Sequence, residues 1–208
     1  MPTYNRKDDL SSAFNSFWQE ALNSKEDYYS KLTLKEFVNL KKAITNINNI
    51  ITMLVTESFV KTLHKDGVIS TPQQSEMLEQ LFETHANTNG FDVEYSAGQM
   101  KIVAEVKCNI PVNETSFGAA QENSIMEDVD HLFHSKKKSD LTSEDIQDYY
   151  KFMVFLDVEN GLDVKNVRIS TQKLIRKLTK KGLNVTEYTP KTKLQKDIVY
   201  FIYISTEK

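Results

Sequence analysis

A single cysteine, Cys108, in 208 residues leaves the chain with no intramolecular disulfide and no cysteine-based zinc site. Six glycines and four prolines are few for an all-β protein with many tight turns. No apolar run approaches the roughly 18 residues that a bilayer span requires. Residues 1–9 carry no apolar core of signal-peptide type, so we expect a cytoplasmic protein without membrane attachment. Charge of one sign is lacking too: the net is −3, which argues against a protein that coats nucleic acid. It leaves room for a nuclease, whose acidic metal site offsets local lysines. The chain has no glycine-rich phosphate loop and no Gly-x-Ser-x-Gly elbow, which removes nucleotide-binding and serine-hydrolase readings.

What is present is enough apolar material for a packed globule, 39% hydrophobic and 10% aromatic residues. The first third has helical period. Ala13, Phe14, Phe17, Trp18, Ala21 and Leu22 form one stripe, a core or dimer contact. Thr33 and Glu36 form a capping box that opens a second helix, whose apolar residues run from Leu34 through Ile44, Ile47, Ile51 and Val55 to about His64. Asp66-Gly67 stops it. Thr71-Pro72-Gln73-Gln74 opens another helix, with Gln74 at the box position. At residue 91 the period changes to two. Residues 91–95 and 100–108 predict a β-hairpin turning near residues 96–99. A helix over 117–133, a central strand over 151–158, a basic helix over 171–181 and strands over 183–188 and 198–204 complete the series. The sum predicts an N-terminal helical region, 1–70, and an α/β core, 71–208, together forming one compact unit.

The hairpin carries the chemistry. Residues two apart in a strand share a face, so Lys101, Val103, Glu105 and Lys107 point one way, opposite Ile102, Ala104, Val106 and Cys108. On the partner strand Asp92 and Glu94 share a face, opposite Phe91, Val93 and Tyr95. Asp92 or Glu94 can therefore approach Glu105. Two adjacent carboxylates repel unless a cation lies between them. Mg²⁺, with Mn²⁺ as substitute, would serve, the Val106 carbonyl completing the protein ligands. Lys107 would then hold the attacking water and offset transition-state charge.

A helix, a strand with Asp92, a strand reading Glu105-Val106-Lys107, then a helix and another strand resemble the PD-(D/E)xK restriction-endonuclease-like nucleases over residues 72–158. The resemblance implies a mixed sheet flanked by helices, with Asp92 and Glu105 as metal ligands and Lys107 at the nucleophile. It also implies a hydrolase cutting DNA, with RNA as a further candidate substrate and a homodimer suited to cutting both strands. Family members often carry an acid on the preceding helix, here Glu79 or Glu83, and a Gln on the following one, here Gln121. A non-catalytic nucleic-acid or protein interaction module on the same fold is the alternative, and a regulatory protein with a merely exposed charged hairpin is the other.

Elsewhere the pattern is weaker. Asp163-Val164-Lys165 follows a turn signal and reads as a loop. His131 and His134, three apart beside Glu127, Asp128 and Asp130, have a spacing that can hold metal, yet read as helix surface. Lys136-Lys137-Lys138 and the basic series Lys173, Arg176, Lys177, Lys180 and Lys181 read as solvated faces that could meet phosphates. Cys108 reads as a small core residue.

Overall fold

The computed structural model describes residues 5–84, 90–109, 111, 116–137, 139–157 and 167–205. The chain divides into two compact units rather than the single one expected, the first ending at Ile47 and the second beginning at Asn48. The first holds α1 (Arg6–Ala21), α2 (Tyr28–Lys31) and α3 (Leu34–Ile44), none of which buries a residue. Its centre is a group of rings, Phe14 against Trp18, Tyr29 and Phe37, and the Thr33–Glu36 capping box forms as expected.

The expected helix over 34–64 is broken. Thr45 donates its hydroxyl back to the Lys41 carbonyl at 2.9 Å, and the chain turns through Thr45–Asn46 before α4 (Ile47–Lys65). Thr and Asn compete locally with helical backbone bonds, which explains the break. This also corrects the domain boundary at residue 70. Val55, Phe59, Val60 and Leu63 of α4 are buried in the core of the second unit. The helix α5 (Thr71–Glu83) is capped one residue earlier than expected, by Ser70 with Gln73 at the box position.

The second unit is mixed α/β. Its strands β1 (Val93–Ala97), β2 (Met100–Lys107), β3 (Tyr150–Asp157), β4 (Val185–Glu187) and β5 (Val199–Ser205) form one sheet in the order β1-β2-β3-β5-β4. Only the β1–β2 hairpin is antiparallel; β2–β3, β3–β5 and β4–β5 run parallel. Among the described residues no strand precedes β1. The hairpin turns through Gly98-Gln99, Gly98 at φ 59°, where glycine carries no steric penalty. Helices α4 and α5 cover one face, over Ile102, Ala104, Val106, Phe152 and Val154. The other face, with Val103, Met153, Phe155 and Phe201, is covered by α6 (Ala119–His134) and α7 (Val167–Lys180). Burial on both faces explains the unbroken apolar run of β3. No helix among the described residues is long and apolar enough to cross a membrane.

Lys151, fully buried on β3, donates to the carbonyls of Tyr149 at 3.0 Å and Lys196 at 2.5 Å. Burial pulls its ammonium down from 10.5 to about 8, with Asp197 and Asp148 opposing. The folded chain therefore releases this proton before the unfolded chain does. Stability should rise between about pH 8 and 10.5, and Lys151→Met should lose that rise. Urea denaturation on either side of pH 8 checks it; parallel pH profiles for both proteins would contradict it.

Candidate functional site

The hairpin register sets Val93 opposite Ala104, so the next pair outward is Asp92 opposite Glu105. Asp92 stands just outside β1, two residues later than the expected strand start. The cause is its own side chain. Asp92 Oδ2 accepts the Val106 N–H at 2.7 Å, taking the place a strand carbonyl would fill. The backbone leaves the ladder there, and Phe91 crosses to the α6 face instead of following Val93 and Tyr95. In an extended strand a residue's N–H and C=O point to the same edge, so the Val106 carbonyl is also directed to the Asp92 side.

Glu105 is only 4% exposed, whereas Asp92 keeps an exposed surface although protein packs around its carboxylate. One acid thus lies beneath and the other at the opening. Burial, then the Asp92 charge, pushes Glu105 up to about 8 against the pull of Lys136. Asp92 is also raised, by its surroundings first, with the Val106 N–H, Lys136 and Lys107 opposing. Asp128 adds to the negative potential at both.

Two lysines answer these charges. Lys107, its side chain 17% exposed, forms an ion pair with Asp128 of α6 and lies 3.5 Å from Ser124 Oγ. Lys136, expected to be solvated, is instead turned inward. Its Nζ lies 2.5 Å from Glu105 Oε1 as a charge pair, without an aligned hydrogen bond. It donates to the Gly90 carbonyl at 3.1 Å and sits 5.1 Å above the Phe91 ring. Asp128 and Lys136 are the residues that sequence reasoning missed at this place. On α6, Ser124 and Asp128 flank the buried ridge of Ile125, Val129 and Leu132, a position that helical period reveals.

The other candidates fall elsewhere. Glu94 faces Val103 and is raised by burial and by Asp140. Gln121 turns its amide oxygen back to the Gly118 N–H at 3.3 Å, as a helix cap. Glu79 and Glu83 are exposed on α5, which covers the opposite sheet face. His134 pairs with Asp130 at 3.1 Å, while His131 lies 3.9 Å from Asp128. Cys108 packs at the α4 side, its thiol 3.8 Å from Thr52 Oγ1 and raised by burial. Asp163-Val164-Lys165 and Lys138 lie outside the described residues.

Among the described residues no three His, Cys, Asp or Glu side chains gather as a metal cluster. The donor chemistry at Asp92 and Glu105 nonetheless fits a hard cation. Two enclosed carboxylates, Glu105 raised by the Asp92 charge as well as by burial, with a backbone carbonyl directed to the same side, are oxygen ligands of the kind a hard cation takes. No protein-family model matches the chain, and neither a curated protein nor a solved structure matches it.

Proposed function

We propose that this protein is a metal-dependent nuclease on a restriction-endonuclease-like core, hydrolysing DNA phosphodiesters in the cytoplasm. The observation that carries the reading is the placement of Asp92 opposite Glu105, with Glu105 4% exposed and driven up to about 8. A fold does not keep a carboxylate pair in that state for stability, and perturbed acids of this kind concentrate at working sites. The order of hairpin, α6 and parallel β3 supports the core assignment.

In this reading Asp92 and Glu105 hold Mg²⁺ or Mn²⁺, with the Val106 carbonyl beside them. The ion, when bound, would neutralise phosphate charge and acidify a water. Lys107, oriented by Asp128, steadies the water and the developing charge on the phosphate. A symmetric dimer would present two sites to the two strands of a duplex.

The test is incubation of supercoiled plasmid, single-stranded DNA and RNA with Mg²⁺ or Mn²⁺. We expect nicking or linearisation by the native protein and a loss of about a hundredfold or more in Asp92→Asn and Lys107→Ala. No metal-dependent cleavage of any substrate, or cleavage by both variants equal to that of the native protein, would refute the reading. Tight binding without cleavage would instead support a non-catalytic nucleic-acid module.

A further inference from the structure

We infer that Lys136 is a tethered cation occupying the acid pair, and that a divalent metal must displace its ammonium from Glu105 to bind. The inference rests on the metal-site reading of Asp92 and Glu105 and adds a competitor to it.

Three observations converge on this residue. The contact is direct, 2.5 Å from Lys136 Nζ to Glu105 Oε1. The ammonium is held there by more than charge, through the Gly90 carbonyl at 3.1 Å and the Phe91 ring at 5.1 Å. A lysine left to solvent would make none of these contacts, and its side chain is only 19% exposed.

The backbone just before Lys136 is the third. Ser135, at the end of α6, has φ 70° and ψ 165°, a region that residues other than glycine rarely adopt. Ser135 Oγ donates to the Leu141 carbonyl at 2.6 Å, and Ser143 Oγ donates to the His134 carbonyl at 2.5 Å. These bonds hold the strained turn, and the turn is what leads the chain from α6 to Lys136 beside the sheet.

Lys107 does not fill this role, because Asp128 already engages it. Lys136 is thus the cation in contact with Glu105, and it reaches Asp92 through its charge alone. A metal held by the two carboxylates would have to compete with that ammonium at the Glu105 carboxylate.

Competition of this kind has a measurable sign. An apparent affinity is weakened by the fraction of sites that are open, so a lysine seated about nine-tenths of the time costs about tenfold. We expect Lys136→Met to tighten the apparent Kd for Mg²⁺ about tenfold, read from a thermal-shift titration at alkaline pH, where protons do not compete. Lys137→Met removes the same charge from the exposed neighbouring residue and should stay within about twofold of the native protein.

If Mg²⁺ stabilises the native protein but Lys136→Met binds it no tighter, the inference is overturned and the metal site stands. If Mg²⁺ stabilises none of the three proteins, the metal-site reading itself falls, and the inference with it. Should Lys136→Met fail to fold, NMR of the native protein with isotopically labelled lysines decides. Saturating Mg²⁺ must then move the Lys136 side-chain signal, and an unmoved signal overturns the proposal.

Discussion

Glu105→Gln should lose metal-dependent cleavage by about a thousandfold or more, and yet unfold less readily than the native protein at neutral pH. The loss would follow, in the proposed nuclease, from removing the more enclosed of the two proposed ligands. The gain follows from the carboxyl's raised proton affinity. Its ordinary value is 4.5 and burial, then Asp92, lifts it to about 8 in the fold. A group raised by folding contributes stability below its unfolded value and loses it as pH climbs to its folded value. For Glu105 that window is pH 4.5 to about 8. At pH 7 the folded carboxyl is mostly protonated, and the proton it must take up on folding costs about 3 kcal/mol at most.

Glutamine carries no charge to bury, although it leaves Lys136 facing an amide and Asp92 with one neighbour fewer. We expect a net gain of about 1–2 kcal/mol at pH 7, vanishing near pH 4.5. Lys136, Asp92, Asp128 and Lys107 are the charged groups that face this position, and none is altered by the substitution. Urea denaturation of both proteins from pH 4.5 to 8.5 measures the divergence. A constant difference across that range would show that Glu105 does not carry the shift.

Phe152→Ala should be the most damaging single change in the core, costing about 3–5 kcal/mol. Phe152 is fully buried in the middle strand of the sheet. Its ring meets Phe59 at 5.3 Å, Tyr200 at 5.8 Å and Tyr188 at 5.9 Å, so truncation opens a gap shared by α4 and the sheet. The surrounding rings are themselves tied: Tyr188 donates its hydroxyl to Asp66 at 3.0 Å, and Tyr200 accepts the Gln195 N–H at 2.7 Å. They cannot collapse inward without losing those bonds. Domains of this size hold about 5–15 kcal/mol in all, so the variant should sit near its unfolding threshold. An unfolding free energy within about 1 kcal/mol of the native protein's would show that the site relaxes freely.

The sheet was legible because its signals are local. Alternation marked β2, an unbroken apolar run marked β3, and both faces of β3 are indeed covered. That Asp92 or Glu94 approaches Glu105 was legible, since a short turn joins the strands, but the tighter turn at Gly98-Gln99 sets the register that selects Asp92. Helix ends were less so. Thr45 and Asn46 interrupt a period that continues on either side of them, so apolar spacing alone reads straight through the break. Lys136 was illegible for a different reason. A run of three lysines after a helix looks solvated, and only the strained Ser135 and the distant Glu105 give one of them a destination.

The two ion pairs between β2 and the α6 region run in opposite senses, Lys107 reaching out to Asp128 and Lys136 reaching back to Glu105. Such an arrangement acts as a two-point latch. The anchors on the α6 side lie eight positions apart in sequence, Asp128 within the helix and Lys136 beyond the turn that ends it. Slippage of α6 by one residue would rotate Asp128 by about 100° and undo its attachment to Lys107. Sliding and rolling of α6 are therefore blocked by the same charges that set the electrostatics of the acid pair. Exchanging the partners of one pair, Lys107→Asp with Asp128→Lys, should keep the latch while moving a positive charge from the strand to the helix.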